Sequence, residues 1–180
     1  MSSNAVSFWA KPRSLERSSQ VTRKPAESPS RPSNVPLRVR PAEIWVCASE
    51  TLAYTHAFRE YLETGAAGVV MLDLSWCGGL SEARKIAALA EARHVPVAPH
   101  DCTGPVVYTA SCHFSMHARN ALIQESVRAF YTGWYKELVT DLPMVKNGEV
   151  TMNFAKPGLG LELLPDLESR KGTFRQFSRG

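Results

Sequence analysis

The sequence predicts an α/β protein built from consecutive parallel βα units, and three observations carry that prediction. Short, nearly all-apolar runs recur along the chain from about residue 42. Longer stretches with helical periodicity alternate with them, giving the order βαβαβαβ, which calls for a parallel sheet with helical crossovers. Each apolar run ends at, or within two residues of, an acidic group or a histidine: Glu50, Asp73, His100 and Glu125, spaced 23, 27 and 25 residues apart.

The elements follow in order. "EIWVCA" is the first strand candidate. "TLAYTHAFREYLETG" is a helix with Leu52, Phe58 and Leu62 on a broad apolar face and Gly65 as its stop. "GVVML" is the second strand. "SEARKIAALAEARH" is an amphipathic helix, with Ser81 as the expected N-cap and Ile86, Leu89 and Ala90 facing inward. "VPVA" is the third strand. "GPVVYTASCHFSMH" opens with Gly104 and with Pro105, which suits a first helical turn. "ALI" is the fourth strand, and "KNGEVT" offers an Asn-Gly turn between short strands. Runs this apolar fit a sheet buried on both faces.

Residues 1–40 have a different texture. They hold eight Lys/Arg against two Asp/Glu and five prolines, whereas the rest of the chain holds 13 basic and 15 acidic groups. Such a segment buries too little apolar surface to offset its ordering entropy, so a disordered tail is expected there. A basic interaction tail and a transit peptide are the functional alternatives. The rest, residues 41–180, reads as one domain. Its near-neutral charge offers no footprint for nucleic acid. No apolar stretch approaches the roughly 18–20 residues that span a bilayer. The four cysteines show no CxxC spacing, so neither a zinc knuckle nor a disulfide framework is expected, and a reducing cytoplasm is the simplest location.

In "VPVAPHDCTGPV" the third strand ends on His100, Asp101 and Cys102. Singly, each polar residue at a strand end reads as a loop residue or helix cap. Four in register are a different matter, because parallel α/β barrels open all strand C-termini on one catalytic face. His56, His94, His113 and His117 fall on the predicted helices, in surface or packing roles. Cys47 and Cys112 read as small buried apolar residues. The aromatic run "RAFYTGWYKEL" reads as packing beneath the sheet.

The motifs "SETL", "VVMLDLSWCGGLSEARKIAALAEARHVPVAPHDCTGP", "NALIQESVRAFYTGWY" and "PGLGLEL" resemble, in kind and order, the C-terminal half of the mandelate racemase/muconate lactonising branch of the enolase superfamily. The texture is most similar to that branch's sugar-acid dehydratases. These motifs span residues 42 to about 168 and leave residues 1–40 outside.

The resemblance implies the C-terminal half of a (β/α)8 TIM-type barrel. It implies a magnesium-dependent enzyme that removes the proton α to the carboxylate of a sugar acid or similar substrate, with a racemase or cycloisomerase as the related alternative. By the same resemblance His100 is the base and Asp73 its partner. Glu125 contacts the substrate carboxylate or the developing enolate. Glu50 is one of three metal carboxylates, with Ser49-Glu50 where the family has Gly-Glu. Trp76 and Cys77 are expected to line the pocket, and Asp101 and Cys102 to support or cap it. The family's lysine motif, its other two metal carboxylates and its capping domain have no counterpart here. The expectation is therefore a truncated chain that is inactive alone, or one that associates through open sheet edges with a related subunit or with its own copies as a homo-oligomer.

Overall fold

The computed structural model describes residues 5–7, 45–174 and 176. The expected tail lies outside these residues, except Ala5–Ser7, which form β1.

A parallel ladder organises the domain. β2 (Cys47–Ala48) pairs with β3 (Val69–Val70), Cys47 opposite Val69. Val70 bridges to Val97, and Val97 to Ala121, both parallel. These are the four predicted strands in the predicted order, but each is shorter than its apolar run. Pro96 and Pro99 flank the third rung and have no N–H to give a neighbour, so it is reduced to a bridge. Pairing continues past the regular strands: the His100 amide donates to Leu72 O at 2.9 Å and the Glu125 amide to Pro99 O at 3.2 Å. These two bonds align the strand ends after β3, Val97 and Ala121.

Three helices cover one face of the ladder: α1 (Tyr54–Glu63), α2 (Leu80–Glu91) and α3 (Pro105–His117). Phe58 and Leu62 of α1, Ile86, Ala87 and Ala90 of α2, and Phe114 of α3 meet Val70, Leu72 and Val97 in the main core. Fully burying each of the larger apolar side chains contributes about 1.5–3 kcal/mol. Leu52 and Leu89 pack partly buried at its edge. Gly65, with φ 67°, ends α1 as expected, because that backbone carries little penalty without a Cβ.

The start of α2 differs from expectation. Helix begins at Leu80, so the N-cap is Gly79 at φ 85° rather than Ser81, and no side chain caps it. Glu82 in the first turn instead accepts from the Thr55 amide and hydroxyl at 3.1 and 2.6 Å, tying α2 to α1. A second cluster lies beyond α3. Tyr108 and Cys112 pack there with Tyr135, Val150 and Met152. Tyr135 belongs to a 3-10 turn, Trp134–Glu137, that follows α4 (Arg128–Thr132). β4 (Met144–Lys146) and β5 (Glu149–Thr151) form a hairpin through Asn147 and Gly148, whose φ values of 53° and 80° suit the expected Asn-Gly turn. β1 adds antiparallel to β5.

The expectation of a sheet buried on both faces is corrected on the side away from the helices. Cys47 is exposed, Met71 is half-buried and Leu122 is 47% exposed. Successive side chains of a strand alternate between faces, so these project opposite the core residues Val70, Val97 and the core-packed Ala121. Four strands make half the circumference of an eight-stranded barrel, and that inner face is covered only in part: Val69 and Ala98, which alternate with the core residues, are buried, whereas Cys47 and Leu122 are not. No helix among the described residues is long and apolar enough to cross a membrane.

Candidate active site

Parallel register brings Asp73, His100 and Glu125 together at the ends of adjacent strands. His100 Nδ1 lies 2.9 Å from Asp73 Oδ2, and Nε2 lies 3.8 Å from Glu125 Oε2. Asp73 is fully buried and its other oxygen is already held: the Ser75 amide and hydroxyl donate to Oδ1 at 2.7 and 2.6 Å. Thr103 Oγ1 approaches both carboxylate oxygens at 3.3–3.4 Å. With Oδ1 saturated, Oδ2 is left to accept from the imidazole. That bond favours the tautomer with the proton on Nδ1 and a free lone pair on Nε2.

Glu125 is oriented by the backbone. Its Oε2 accepts from the Asp101 amide at 2.9 Å. Asp101 is itself buried, and its carboxylate accepts from the Val127 amide at 3.0 Å and from the Tyr135 hydroxyl at 2.8 Å. The Tyr135 oxygen also accepts from the Gly104 amide at 3.3 Å. The loop after His100, the turn after Glu125 and the aromatic run are thus tied at one point. Burial pushes the Asp101 carboxyl above its ordinary value, and the Val127 and Tyr135 bonds offset part of that rise.

Glu50, half-buried at the end of β2, makes no hydrogen bond among the described residues. Its charge still reaches the same rim. Desolvation raises the Cys102 thiol first, and the carboxylates of Asp73, Glu125, Asp101 and Glu50 raise it further. The four predicted strand-end groups therefore share one face.

Other expectations change. Cys77 does not line the rim but is buried in the main core, where desolvation pushes its thiol up to about 11. Trp76 is 55% exposed. Cys47, expected to be buried, is exposed because it projects from the uncovered face of β2, whereas Cys112 is buried as expected and pushed up to about 12. His56, His94 and His117 are exposed, and His113 bonds Leu159 O at 3.1 Å, all away from the dyad. Sequence reasoning missed Ser75, Thr103 and Tyr135. Ser75, two residues after Asp73, had a local signal as an Asx-type turn partner; Tyr135, 34 residues from Asp101, had none.

Magnesium prefers hard oxygen donors in near-octahedral array. On this rim Asp73 Oδ1 and Glu125 Oε2 already accept hydrogen bonds, and the groups gathered around Asp73 Oδ2 are the nitrogen of His100 and the sulfur of Cys102. Only Glu50 remains as an unengaged carboxylate, so the described residues do not by themselves compose a magnesium site.

Comparison with known proteins agrees with this architecture. Residues 14–167 match the enolase C-terminal domain-like family, a stretch that begins inside the basic tail left outside the sequence motifs. The chain is 36% identical over 125 residues to a D-galactonate dehydratase of Cronobacter sakazakii, covering 66% of this chain and 32% of the relative. It is 34% identical over 128 residues to that of Pectobacterium atrosepticum, covering 68% and 33%. Among solved structures it resembles an enolase of the mandelate racemase subgroup from Agrobacterium tumefaciens, at 66% identity and a TM-score of 0.63, covering 69% of this chain and 34% of that one. An enolase protein from Sargasso Sea environmental sequence gives 48% identity and a TM-score of 0.65, covering 71% and 34%. The chain spans about a third of the length of the curated relatives it matches. Members of this superfamily generally use Mg2+. By sequence match and by fold, the chain belongs to the enolase C-terminal domain-like family of the enolase superfamily.

Proposed function

We propose that this chain carries the proton-transfer side of a sugar-acid dehydratase site. The carrying observation is the Asp73–His100 dyad at strand ends, with Nε2 directed toward Glu125. Asp73 accepts from Nδ1–H and leaves Nε2 as the base. Nε2 takes the proton α to the substrate carboxylate, and the imidazolium so formed is stabilised by the buried Asp73 carboxylate. The same imidazolium returns its proton to the β-hydroxyl, which leaves as water. The resulting enol tautomerises to the 2-keto acid. Glu125 contacts the substrate carboxylate end or the developing enolate. The D-galactonate dehydratase relatives favour an acid sugar as substrate over a racemase or cycloisomerase reaction.

Glu50 is the one residue here that would hold the magnesium expected of the intact family, and no step above depends on it. Losing even one preorganised charge-stabilising group typically costs about 10²–10³ in rate, so the chain by itself is expected to turn over negligibly. A second reading, an inactive half-barrel that works only by association, is favoured by the exposed β2 side, where Trp45 is 66% exposed beside Val46 at 39%. A reducing compartment such as the cytoplasm suits both readings and the four free cysteines.

The test joins the chain to the first two thirds of a D-galactonate dehydratase by co-refolding. Co-elution establishes the complex, and NMR follows exchange at the α-carbon of galactonate in deuterated buffer with magnesium. Exchange in the complex, lost in His100→Asn and absent in the chain alone, is expected. A co-eluting complex with no His100-dependent exchange would overturn the dehydratase reading.

A further inference from the structure

We infer that Asp73, His100 and Cys102 form a binding site for one divalent transition ion of the zinc class, distinct from the hard-cation role expected of Glu50. The three ligand atoms lie within 4.8 Å of one another. His100 Nδ1 is 2.9 Å from Asp73 Oδ2 and 3.8 Å from Cys102 Sγ. With zinc–nitrogen and zinc–oxygen bonds of about 2.0 Å and a zinc–sulfur bond of about 2.3 Å, those separations subtend about 90° and about 120° at a shared ion. A distorted tetrahedron accommodates both angles, with the fourth position open to water.

The donor set selects the ion. Imidazole, thiolate and carboxylate together suit zinc, whereas magnesium takes oxygen alone. The site is also supported. Ser75 anchors Asp73 Oδ1, which leaves Oδ2 presented toward the ring, and a fixed carboxylate is a better ligand than a mobile one. Asp73 and His100 are locked in register by the His100 amide bond to Leu72 O at 2.9 Å. Cys102 is exposed, so an ion has a path in. The neighbouring carboxylates of Glu125, Asp101 and Glu50 make the rim attractive to a cation.

Binding is balanced in protons. The Cys102 thiol releases its proton to solvent as sulfur bonds the metal. The imidazole proton moves from Nδ1 to Nε2, where Glu125 Oε2 is 3.8 Å away. That tautomer has no lone pair on Nε2, so ion binding and the base role of His100 exclude one another.

The inference rests on the rim's geometry and not on the dehydratase reading, and its test contains no substrate. The full chain, free of any affinity tag and kept reduced with a phosphine, is titrated with cobalt(II). One ion per chain is expected, with tetrahedral d–d bands and a thiolate-to-cobalt charge-transfer band that zinc displaces. Cys102→Ser should abolish the charge-transfer band and weaken affinity by about 10²-fold or more, at or beyond the upper end of what loss of a ligand's supporting partner costs. Cys47→Ser should leave both unchanged. Near-ultraviolet circular dichroism establishes that each variant is folded. A band that survives in folded Cys102→Ser, a band that depends on Cys47, or no band in the folded wild-type chain would each overturn the assignment.

Discussion

Removing the hydroxyl of Tyr135 tests whether the knot behind Glu125 holds the site. Tyr135 is fully buried, and Phe nearly conserves its volume, so Tyr135→Phe opens almost no cavity and isolates the polar loss. Two bonds disappear: the 2.8 Å bond to the Asp101 carboxylate and the longer 3.3 Å bond from the Gly104 amide. A hydrogen bond to a charged group contributes about 1.5–3 kcal/mol, and an amide left unsatisfied in a dry site costs about 1–3 kcal/mol. Because the Gly104 bond is long, its share sits at the low end, and the variant should lose about 2–4 kcal/mol. At about 2–4 °C per kcal/mol for a chain of this size, Tm should fall by about 4–16 °C.

The loss should also depend on pH, with a sign that follows from Asp101. Burial raises its folded-state value above the unfolded value near 3.8, so the folded protein binds this proton more tightly than the unfolded chain does. Stability from this group is therefore greatest below the unfolded value and falls as pH rises through the folded value. The Tyr135 hydroxyl stabilises the charged form, and removing it raises Asp101 further. The deficit of Tyr135→Phe should thus be largest near neutrality and shrink as pH falls through the raised folded-state values, with little of its pH-dependent part left by about pH 4. Urea unfolding at a series of pH values measures it. A deficit under about 1 kcal/mol, or one that does not vary with pH, would show that water replaces the hydroxyl and that the knot is not dry.

Two further outcomes follow from the same geometry. In nitrogen-15 spectra, His100 should appear as the Nδ1–H tautomer at neutral pH, and Asp73→Asn should redistribute it toward Nε2–H; an unchanged tautomer would mean that Asp73 does not orient the ring. Alkylation of the native chain should modify Cys47 and Cys102 and spare Cys77 and Cys112 until unfolding, with Cys102 slow at neutral pH because its surroundings hold the thiol protonated; mass spectrometry showing early labelling of Cys77 would contradict its core position.

The sequence by itself determined the order and type of the elements, because helix and strand periodicities are local. Phe58, Leu62, Ile86 and Ala90 mark helix faces at short range, and Asn147-Gly148 specifies its turn from two residues. It also determined that Asp73, His100 and Glu125 meet. Parallel strands of similar length end on one side, so residues just past each strand converge without knowledge of any contact. The tertiary structure alone decided what each group touches. Tyr135 reaches Asp101 across 34 residues and Thr103 reaches Asp73 across 30, and no local pattern encodes such pairs. It also decided that Cys47, inside an apolar run, is exposed while Cys77, in the loop after one, is buried. Burial depends on what covers a face: α1, α2 and α3 cover one side of the ladder, while the other is covered only in part, with Val69 and Ala98 buried and Cys47 and Leu122 exposed.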